Sequence, residues 1–274
     1  MPLSFDVQWI HGSADCGHSR DPLLQTHQAD ETTFIFRQSK CSSFEAPFMY
    51  LLIGKTRSLL VDTGAPTATG VLPIRTTVDA LLAQHTTGVH ELIVGHSHAH
   101  GDHAAWDQQF AGRPHTTVIP LRQDRIQAQF AIERWPDGSG RLDLGERLLT
   151  VLPLPGHEKL HIAVHDGRTG LLLTGDTLYP GLLVVNDWRP YRASARRLAA
   201  FANSHTVSCV LGAHVEMDRS GELFEIGTTF QPNEHPLQLF RADLDRWTNA
   251  CEDLGERPSQ GEHAFTNFVI DVRG

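Results

Sequence analysis

Residues 96–106 read HSHAHGDHAAW, and the first eight of them contain four histidines and one aspartate. The apolar segment ELIVG at 91–95 comes directly before them and predicts a buried strand. Packing does not explain so many imidazoles in one loop, because polar side chains are seldom buried without a partner. We therefore predict that this loop binds metal at the end of a strand.

Three later apolar runs are followed by side chains of the same kind. They end in PGH at 155–157, in TGDT at 174–177 and in GAH at 212–214. Sites are commonly built on loops held by a rigid scaffold, so we expect these side chains to meet the histidine loop. Together they supply five histidines and two aspartates, enough for two metal ions: His98, His100, Asp102, His103, His157, Asp176 and His214.

The ligand types indicate the metal and its chemistry. Imidazole with carboxylate suits Zn²⁺, although iron and manganese stay open because ligand type does not fix the metal. Two such ions lie ~3.5–4 Å apart in two-metal sites and clamp a bridging hydroxide, and zinc lowers the pKa of a bound water to about 7. The sequence thus predicts two divalent ions, with zinc preferred over iron or manganese. Asp102 is expected to take over the proton afterwards.

The order of these motifs points to a known family. HAHGDH at 98–103, the three later motifs and VDTGA at 61–65 together resemble the metallo-β-lactamase superfamily over residues 48–216. The resemblance implies an α/β (α+β) fold, a four-layer αββα sandwich of two mixed β-sheets flanked by helices. It also implies which residues share an ion: His98, His100 and His157 for the first, Asp102, His103 and His214 for the second, and Asp176 bridging both.

Other residues near the motifs have two readings each. Tyr179 follows Asp176 by three residues, and in lactonases of this superfamily a tyrosine at that spacing points at the substrate carbonyl; a packing aromatic is the alternative. Asp62 in VDTG is expected to orient a ligand histidine or its loop, or to be a plain turn carboxylate. Glu158, after PGH, either touches the site or faces solvent.

The composition narrows the range of binding partners that the protein is expected to have. A net charge of −9, with 23 Lys and Arg against 32 Asp and Glu, disfavours nucleic acid, which requires clustered basic residues. No segment approaches the ~20 apolar residues of a membrane span, and the N-terminus lacks a signal-peptide pattern. The four cysteines lie far apart and are expected to be buried free thiols in a reducing compartment. We expect a cytoplasmic protein with a small-molecule substrate and no nucleic-acid or membrane partner; a homodimer stays open.

Strands alternate with helices without a long linker, which predicts one α/β domain over 1–274. Its core is expected at about 45–220, with a C-terminal helix and strand within 235–274 packed on it. Residues before 48 and the loop 181–192 are expected to contribute to the substrate pocket. We predict helices at 76–86, 192–204 and 237–254 and a closing strand at 263–272. Of the remaining histidines, His96 is expected to be structural, and His115, His161, His165, His205 and His235 to lie on the surface or in loops.

These observations predict a binuclear metal-dependent hydrolase that uses a metal-bridging hydroxide on an ester, lactone or thioester. A β-lactamase is less favoured because those enzymes are normally exported, and a nucleic-acid phosphodiesterase is disfavoured by the acidic charge. The alternative is an iron-dependent oxidoreductase on the same fold, similar to a persulfide dioxygenase, with a mononuclear site. A non-enzymatic metal-binding protein is a third reading, although no ligand is missing.

Overall fold

The computed structural model describes residues 3–68 and 70–274, and fifteen strands lie in these ranges. The strands in the first half of the chain are short, and most of their residues are buried. The strands are β1 (Leu24–Asp30), β2 (Thr33–Gln38), β3 (Phe48–Ile53), β4 (Arg57–Val61), β5 (Glu91–Gly95), β6 (Thr116–Val118), β7 (Gly140–Asp143), β8 (Leu148–Pro153), β9 (Ile162–Asp166), β10 (Leu171–Gly175), β11 (Leu182–Val185), β12 (Cys209–Gly212), β13 (Gln238–Leu239), β14 (Gly261–Ala264) and β15 (Val269–Val272).

These strands form two large sheets and one small one. The first sheet has the order β1-β2-β3-β4-β5-β6, antiparallel as far as β4 and parallel beyond it. The second has the order β13-β12-β10-β9-β8-β7, in which only the β10–β12 pair is parallel among the described strands. In the small sheet β15 lies between β11 and β14. Both large sheets are therefore mixed.

Five α-helices complete the described part of the chain. None of the helices in the described ranges is both long and apolar enough to cross a membrane. The helices are α1 (Ile74–His85), the single turn α2 (Gly101–Ala104), α3 (Gln123–Phe130), α4 (Trp188–Ser204) and α5 (Arg241–Asp253).

The side chains of β4 show how the layers arise. Leu59 and Val61 belong to the core between the two large sheets, whereas Leu60 packs with α1 on the outer face. This split follows from the strand period, because successive side chains point to opposite faces. On α1, Ile74 and Val78 are buried at a spacing of four residues, which places them on one face of the helix.

The second sheet is covered on its outer face by α4 and α5. Leu172 of β10 and Val210 of β12 pack there with Leu198 of α4 and Trp247 of α5. The layers in order are α1, the first sheet, the second sheet and the α4–α5 pair. The αββα sandwich implied by the sequence resemblance is therefore confirmed.

Several predicted features differ in the structure. The closing strand at 263–272 is a hairpin, with β14 and β15 antiparallel. The stretch before β3, for which no element was predicted, contains β1 and β2. The polar alternation of β1 has the burial pattern of a strand that is half exposed, and such short polar strands carry a weak signal.

The cysteine prediction was wrong for half of the residues. Cys16 and Cys41 form a disulfide, whereas Cys209 and Cys251 are free and buried as expected. Spacing along the chain did not reveal the pair, because a disulfide requires proximity in space that sequence alone does not fix.

The prediction that the loop 181–192 lines the substrate pocket was only partly correct. Its aromatic residues Trp188 and Tyr191 begin α4 and belong to the core. The Tyr191 hydroxyl donates to the Thr177 carbonyl at 2.8 Å and accepts from Trp247 Nε1 at 2.9 Å. These aromatics therefore anchor α4 against α5 and do not face a substrate.

Candidate metal centre

The seven side chains predicted to bind metal come together at one edge of the sandwich. His98 and His100 follow β5, and Asp102 and His103 lie on α2. Asp176 and His214 leave the second sheet at the same edge, because β10 and β12 run parallel. His157 lies beyond β8 in the PGH turn, where Gly156 has a φ of +147° and a Cβ would overlap the backbone of α4. Only glycine permits that close approach.

The first group of side chains is centred on three imidazoles. His98 Nε2 and His157 Nε2 lie 2.9 and 3.1 Å from His100 Nδ1. Asp176 Oδ2 lies 3.7 Å from His98 Nε2 and 3.6 Å from His157 Nε2. One ligand atom from each residue thus lies within 4.8 Å of every other.

The second group contains two imidazoles and two carboxylates. Asp102 Oδ2 lies 3.1 Å from His103 Nε2 and 3.5 Å from His214 Nε2. Asp176 Oδ1 lies 3.5 and 3.4 Å from the same two nitrogens. Asp176 therefore turns one oxygen to each group.

Hydrogen bonds at the outer nitrogens fix the orientation of the rings. His157 Nδ1 donates to the Val184 carbonyl at 2.8 Å, and His214 Nδ1 donates to the Glu45 carbonyl at 3.0 Å. Because each bond uses the Nδ1 hydrogen, the Nε2 lone pair of both rings points inward. Such outer partners are the usual support of a metal-binding histidine.

Asp62 supports the histidine loop, which is the first of the two roles considered for it from the sequence. Its carboxylate accepts from the Ser97 amide at 2.7 Å, from Ser97 Oγ at 2.9 Å and from His103 Nδ1 at 2.9 Å. Asp62 is 1% exposed and has a φ of +69°, a conformation that aspartate tolerates better than most residues. The contact with a ligand-type histidine is confirmed.

A bound cation explains the arrangement of the ligand-type nitrogen and oxygen atoms better than hydrogen bonds among them do. His98 Nε2 and His157 Nε2 both lie about 3 Å from His100 Nδ1, which has at most one hydrogen and cannot pair fully with both, whereas a cation between the three nitrogens would satisfy them all. His103 Nε2 and Asp176 Oδ1 are buried and have no hydrogen-bond partner among the described residues. Buried polar atoms are rarely left unpaired, so these atoms fit a bound ion. Imidazole nitrogen and carboxylate oxygen are the ligands that Zn²⁺ takes in proteins.

The charges of the two groups differ. Burial, together with the neighbouring His103 and His161, lowers the pKa of His98 well below its usual 6.5. Burial also lowers the pKa of His214, but Asp176 and Asp102 outweigh this and raise it to about 9. The second group therefore favours positive charge at its centre, and a metal ion would displace the proton held there.

His161, predicted to lie on the surface or in a loop, is in the loop before β9 but is not on the surface. It is fully buried, and its ring stacks on His98 with centroids 5.0 Å apart. Its Nε2 accepts from the Asp176 amide at 3.1 Å. His165 is also buried, with its Nε2 bonded to the Thr206 carbonyl at 2.9 Å. A histidine four residues after His157 gave no local signal, because its partners lie in the loops that follow β5 and β10.

The remaining residues flagged from the sequence hold the loops around the centre. His96 Nε2 is 2.9 Å from Asp107 Oδ1, which fits its expected structural role. Glu158 accepts from the Leu160 amide at 2.8 Å and so closes the turn after PGH. The Tyr179 hydroxyl donates to the Leu182 carbonyl at 2.6 Å and lies 3.0 Å from Glu216 Oε2.

A cavity of about 740 Å³ opens over both groups. The predicted contribution of residues before 48 to this pocket is confirmed by Lys40, Phe44 and Glu45. Its other walls come from β11 and from a segment after His214 that sequence reasoning did not assign. The apolar lining residues are Phe44, Leu182, Val184, Leu223, Phe224 and Ile226.

Comparison with known proteins agrees with this geometry. A family model of the metallo-beta-lactamase superfamily matches residues 43–214. The chain is 32% identical over 115 residues to the acyl-coenzyme A thioesterase MBLAC2 of Homo sapiens, and the match covers 40% of each chain. It is 28% identical over 183 residues to a hydroxyacylglutathione hydrolase of Microcystis aeruginosa, covering 62% of this chain and 67% of that protein. The chain thus spans well under two thirds of the thioesterase.

Solved structures show the same fold. The DIM-1 metallo-beta-lactamase exposed to ceftazidime superposes with a TM-score of 0.56 at 15% identity, covering 86% of this chain and all of that one. A metallo-beta-lactamase from Erythrobacter litoralis with beta-mercaptoethanol in its active site has a TM-score of 0.57 at 17% identity, covering 86% and 99%. At such identity the likeness shows the architecture alone.

Proposed function

The chain belongs to the metallo-beta-lactamase superfamily, and we propose that it is a binuclear metal-dependent hydrolase of esters, lactones or thioesters. The observation that carries the proposal is the shared carboxylate: Asp176 turns one oxygen to each of two groups of ligand-type side chains. That arrangement suits two divalent ions held side by side. We assign His98, His100 and His157 to one ion and Asp102, His103 and His214 to the other, with Asp176 between them.

Zinc is the metal we propose first, because the donors are imidazole and carboxylate and include no thiolate. When bound, the ions supply Lewis acidity, which polarises a carbonyl and lowers the pKa of water. The chain's own residues prepare the site for this. The carbonyls of Val184 and Glu45 and the carboxylate of Asp62 fix three rings before substrate arrives, so little reorganisation is required.

Asp102 is the residue that we assign to accept a proton. Burial raises its pKa, but the nearby imidazoles of His103 and His214 outweigh this and hold the pKa below its ordinary range. The side chain is therefore ionised at neutral pH and partly accessible from the cavity. An ionised carboxylate beside the reacting groups is the state that proton acceptance requires.

Tyr179 remains a predicted catalytic residue with a competing structural role. Its hydroxyl has one proton, and the Leu182 carbonyl accepts it at 2.6 Å. A hydrogen bond to a substrate carbonyl would require that proton to leave Leu182. We propose that Tyr179 primarily stabilises the part of the cavity wall that β11 and Glu216 form.

Thioesters are the first substrates to test. The relatives described above are named as a thioesterase and as a hydroxyacylglutathione hydrolase. The cavity also has an apolar side, with Leu182, Val184 and Phe224, that suits a small acyl group. The region after His214 lacks the basic pattern expected of a glutathione site, so the leaving group is left open.

Metal content tests the proposal directly. The protein is purified without added metal, and metal identity and stoichiometry are measured by elemental mass spectrometry. Near two zinc or manganese ions per chain are expected, falling in Asp176→Ala and unchanged in the exposed control Asp143→Ala. Thioester, lactone and ester panels are then assayed on the same samples.

Two results would contradict the proposal. A single iron per chain that survives loss of His214, with oxygen consumption, would favour the oxidoreductase alternative. Absence of tightly bound metal in the wild type and after incubation with zinc would remove the hydrolase mechanism altogether.

A further inference from the structure

Lys40 is a buried cation on the wall of the cavity. Its side chain lines the same 740 Å³ space as the metal-type ligands, and the residue is 3% exposed. Its ammonium makes one hydrogen bond within the described part of the chain, to the Phe44 carbonyl at 2.7 Å. Burial and the nearby Arg37 lower its pKa to about 8, so it is mostly charged at neutral pH.

An ammonium has three N–H donors, and leaving donors unpaired in a buried place costs free energy. The carboxylates of Glu234, Glu216 and Glu45 lie near the ammonium, but none of them accepts a hydrogen bond from it in the described part of the chain. Glu234 forms a buried ion pair with Arg37, and Glu216 Oε2 accepts from the Leu182 amide. Lys40 therefore has donor capacity that faces the cavity and is matched to no acceptor of the described chain.

Gln231 presents the complementary group. It is also 3% exposed and lines the cavity, and its Oε1 is buried with no hydrogen-bond partner among the described residues. It lies close to Lys40: the Gln231 amide donates to the His11 carbonyl at 2.9 Å, and a Cβ on the next residue, Gly12, would lie 2.8 Å from the Lys40 Cβ. Both side chains thus belong to one part of the wall.

We propose that Lys40 and Gln231 form a subsite for an amide group of the substrate, with Lys40 donating to the amide carbonyl and Gln231 accepting from the amide N–H. The inference rests on the proposed hydrolase function and adds the chemistry that its substrate carries. An amide offers one acceptor and one donor, which matches the two unused functions.

A carboxylate fits this wall less well than an amide. It would supply acceptors only, and the orphaned Gln231 oxygen would stay unpaired. Carboxylates outnumber the two cations, Lys40 and Arg273, among the residues that line the cavity, so a further negative charge would be repelled. The neutral amide avoids both costs.

Matched thioesters test the subsite in the wild-type, metal-loaded protein. S-Butanoyl-N-acetylcysteamine carries an amide in the leaving group, and its analogue with an ester oxygen in place of the N–H has the same shape. A second pair carries the amide or the ester in the acyl part. We expect kcat/KM to favour the amide compound at least ~10-fold in one of the pairs, because a site built for a hydrogen bond rejects the analogue that lacks it.

Variants then assign the preference to its residues. Gln231→Leu should remove the distinction between amide and ester, and Lys40→Met should lower kcat/KM for both members of the pair. Gln123→Leu, on the exposed face of α3, is the control and should retain the preference. Retention of the full preference in Gln231→Leu would overturn the assignment.

Failure of the subsite and failure of the hydrolase function give different results. Equal kcat/KM within both pairs would overturn the subsite while the hydrolase stands. If no compound is cleaved, the hydrolase proposal fails, and binding of the intact compounds, followed by NMR, still decides the subsite. Tighter binding of an amide member supports it, and equal binding in both pairs overturns it.

Discussion

The disulfide between Cys16 and Cys41 is expected to contribute measurably to stability. The two cysteines are 25 positions apart, so the bond closes a loop of about 26 residues. In the chain-entropy treatment this removes about 12 cal/mol/K from the unfolded chain, or about 3.5 kcal/mol at 25 °C. For a chain of this size such a loss corresponds to a fall in Tm of about 7 °C.

The assay is urea unfolding of the wild type and the Cys16→Ser/Cys41→Ser double variant, followed by tryptophan fluorescence. We expect the free energy of unfolding to fall by 2–4 kcal/mol in the double variant. Reductant should shift the wild type to the same midpoint and leave the double variant unchanged. Equal midpoints of the two proteins without reductant, or four titratable thiols in the denatured wild type, would refute the reasoning.

The same bond also bears on the metal centre. Cys41 lies in the turn that carries Lys40 and Glu45, and the Glu45 carbonyl accepts from His214. Loosening this turn should weaken metal retention in the second group before the first. Metal release to a chelator, measured with and without reductant, reports this effect separately from unfolding.

Three further predictions concern single residues. Asp62→Asn keeps a residue that tolerates a positive φ but loses the charged acceptor of His103, so metal affinity should fall about 10–100-fold, as chelator competition would show; unchanged affinity would contradict the contact. His161→Leu leaves the buried Asp176 amide unpaired and should cost about 1–3 kcal/mol of stability in urea unfolding, and His161→Gln should recover part of it. Burial raises the pKa of Asp79, but hydrogen bonds from two arginines outweigh this and lower it below 3.8. Asp79→Asn should therefore destabilise the fold by less than about 1 kcal/mol at neutral pH, and the difference should vanish as the pH falls through the folded pKa. A destabilisation that does not decrease as the pH falls below 3.8 would exclude the ionised carboxylate as its cause.

The meeting of the seven metal-type side chains was predictable because each of them follows a strong local signal. His157, Asp176 and His214 come after apolar runs that read as buried strands, and HAHGDH is compact in sequence. The alternation of buried side chains in β4 likewise fixes which face meets which layer. Local periodicity and motif order were sufficient for these features.

The walls of the site were not predictable in the same way. Lys40 and Gln231 are almost 200 positions apart, and their meeting depends on how the N-terminal segment crosses the chain after His214. The sequence gives His161 no feature that separates it from other loop histidines, because its partners His98 and Asp176 lie in the loops after β5 and β10. Contacts between distant segments follow from tertiary packing, which leaves no periodic trace in the sequence.

The shared carboxylate constrains how this centre can diverge. A substitution at Asp176 removes an oxygen from both groups at once, whereas a substitution at His100 or His214 depletes only one. An evolutionary path from the proposed two-ion centre to a one-ion centre is therefore open through the unshared histidines and closed through Asp176. Among descendants of such a protein, Asp176 should be the last of the seven to be lost.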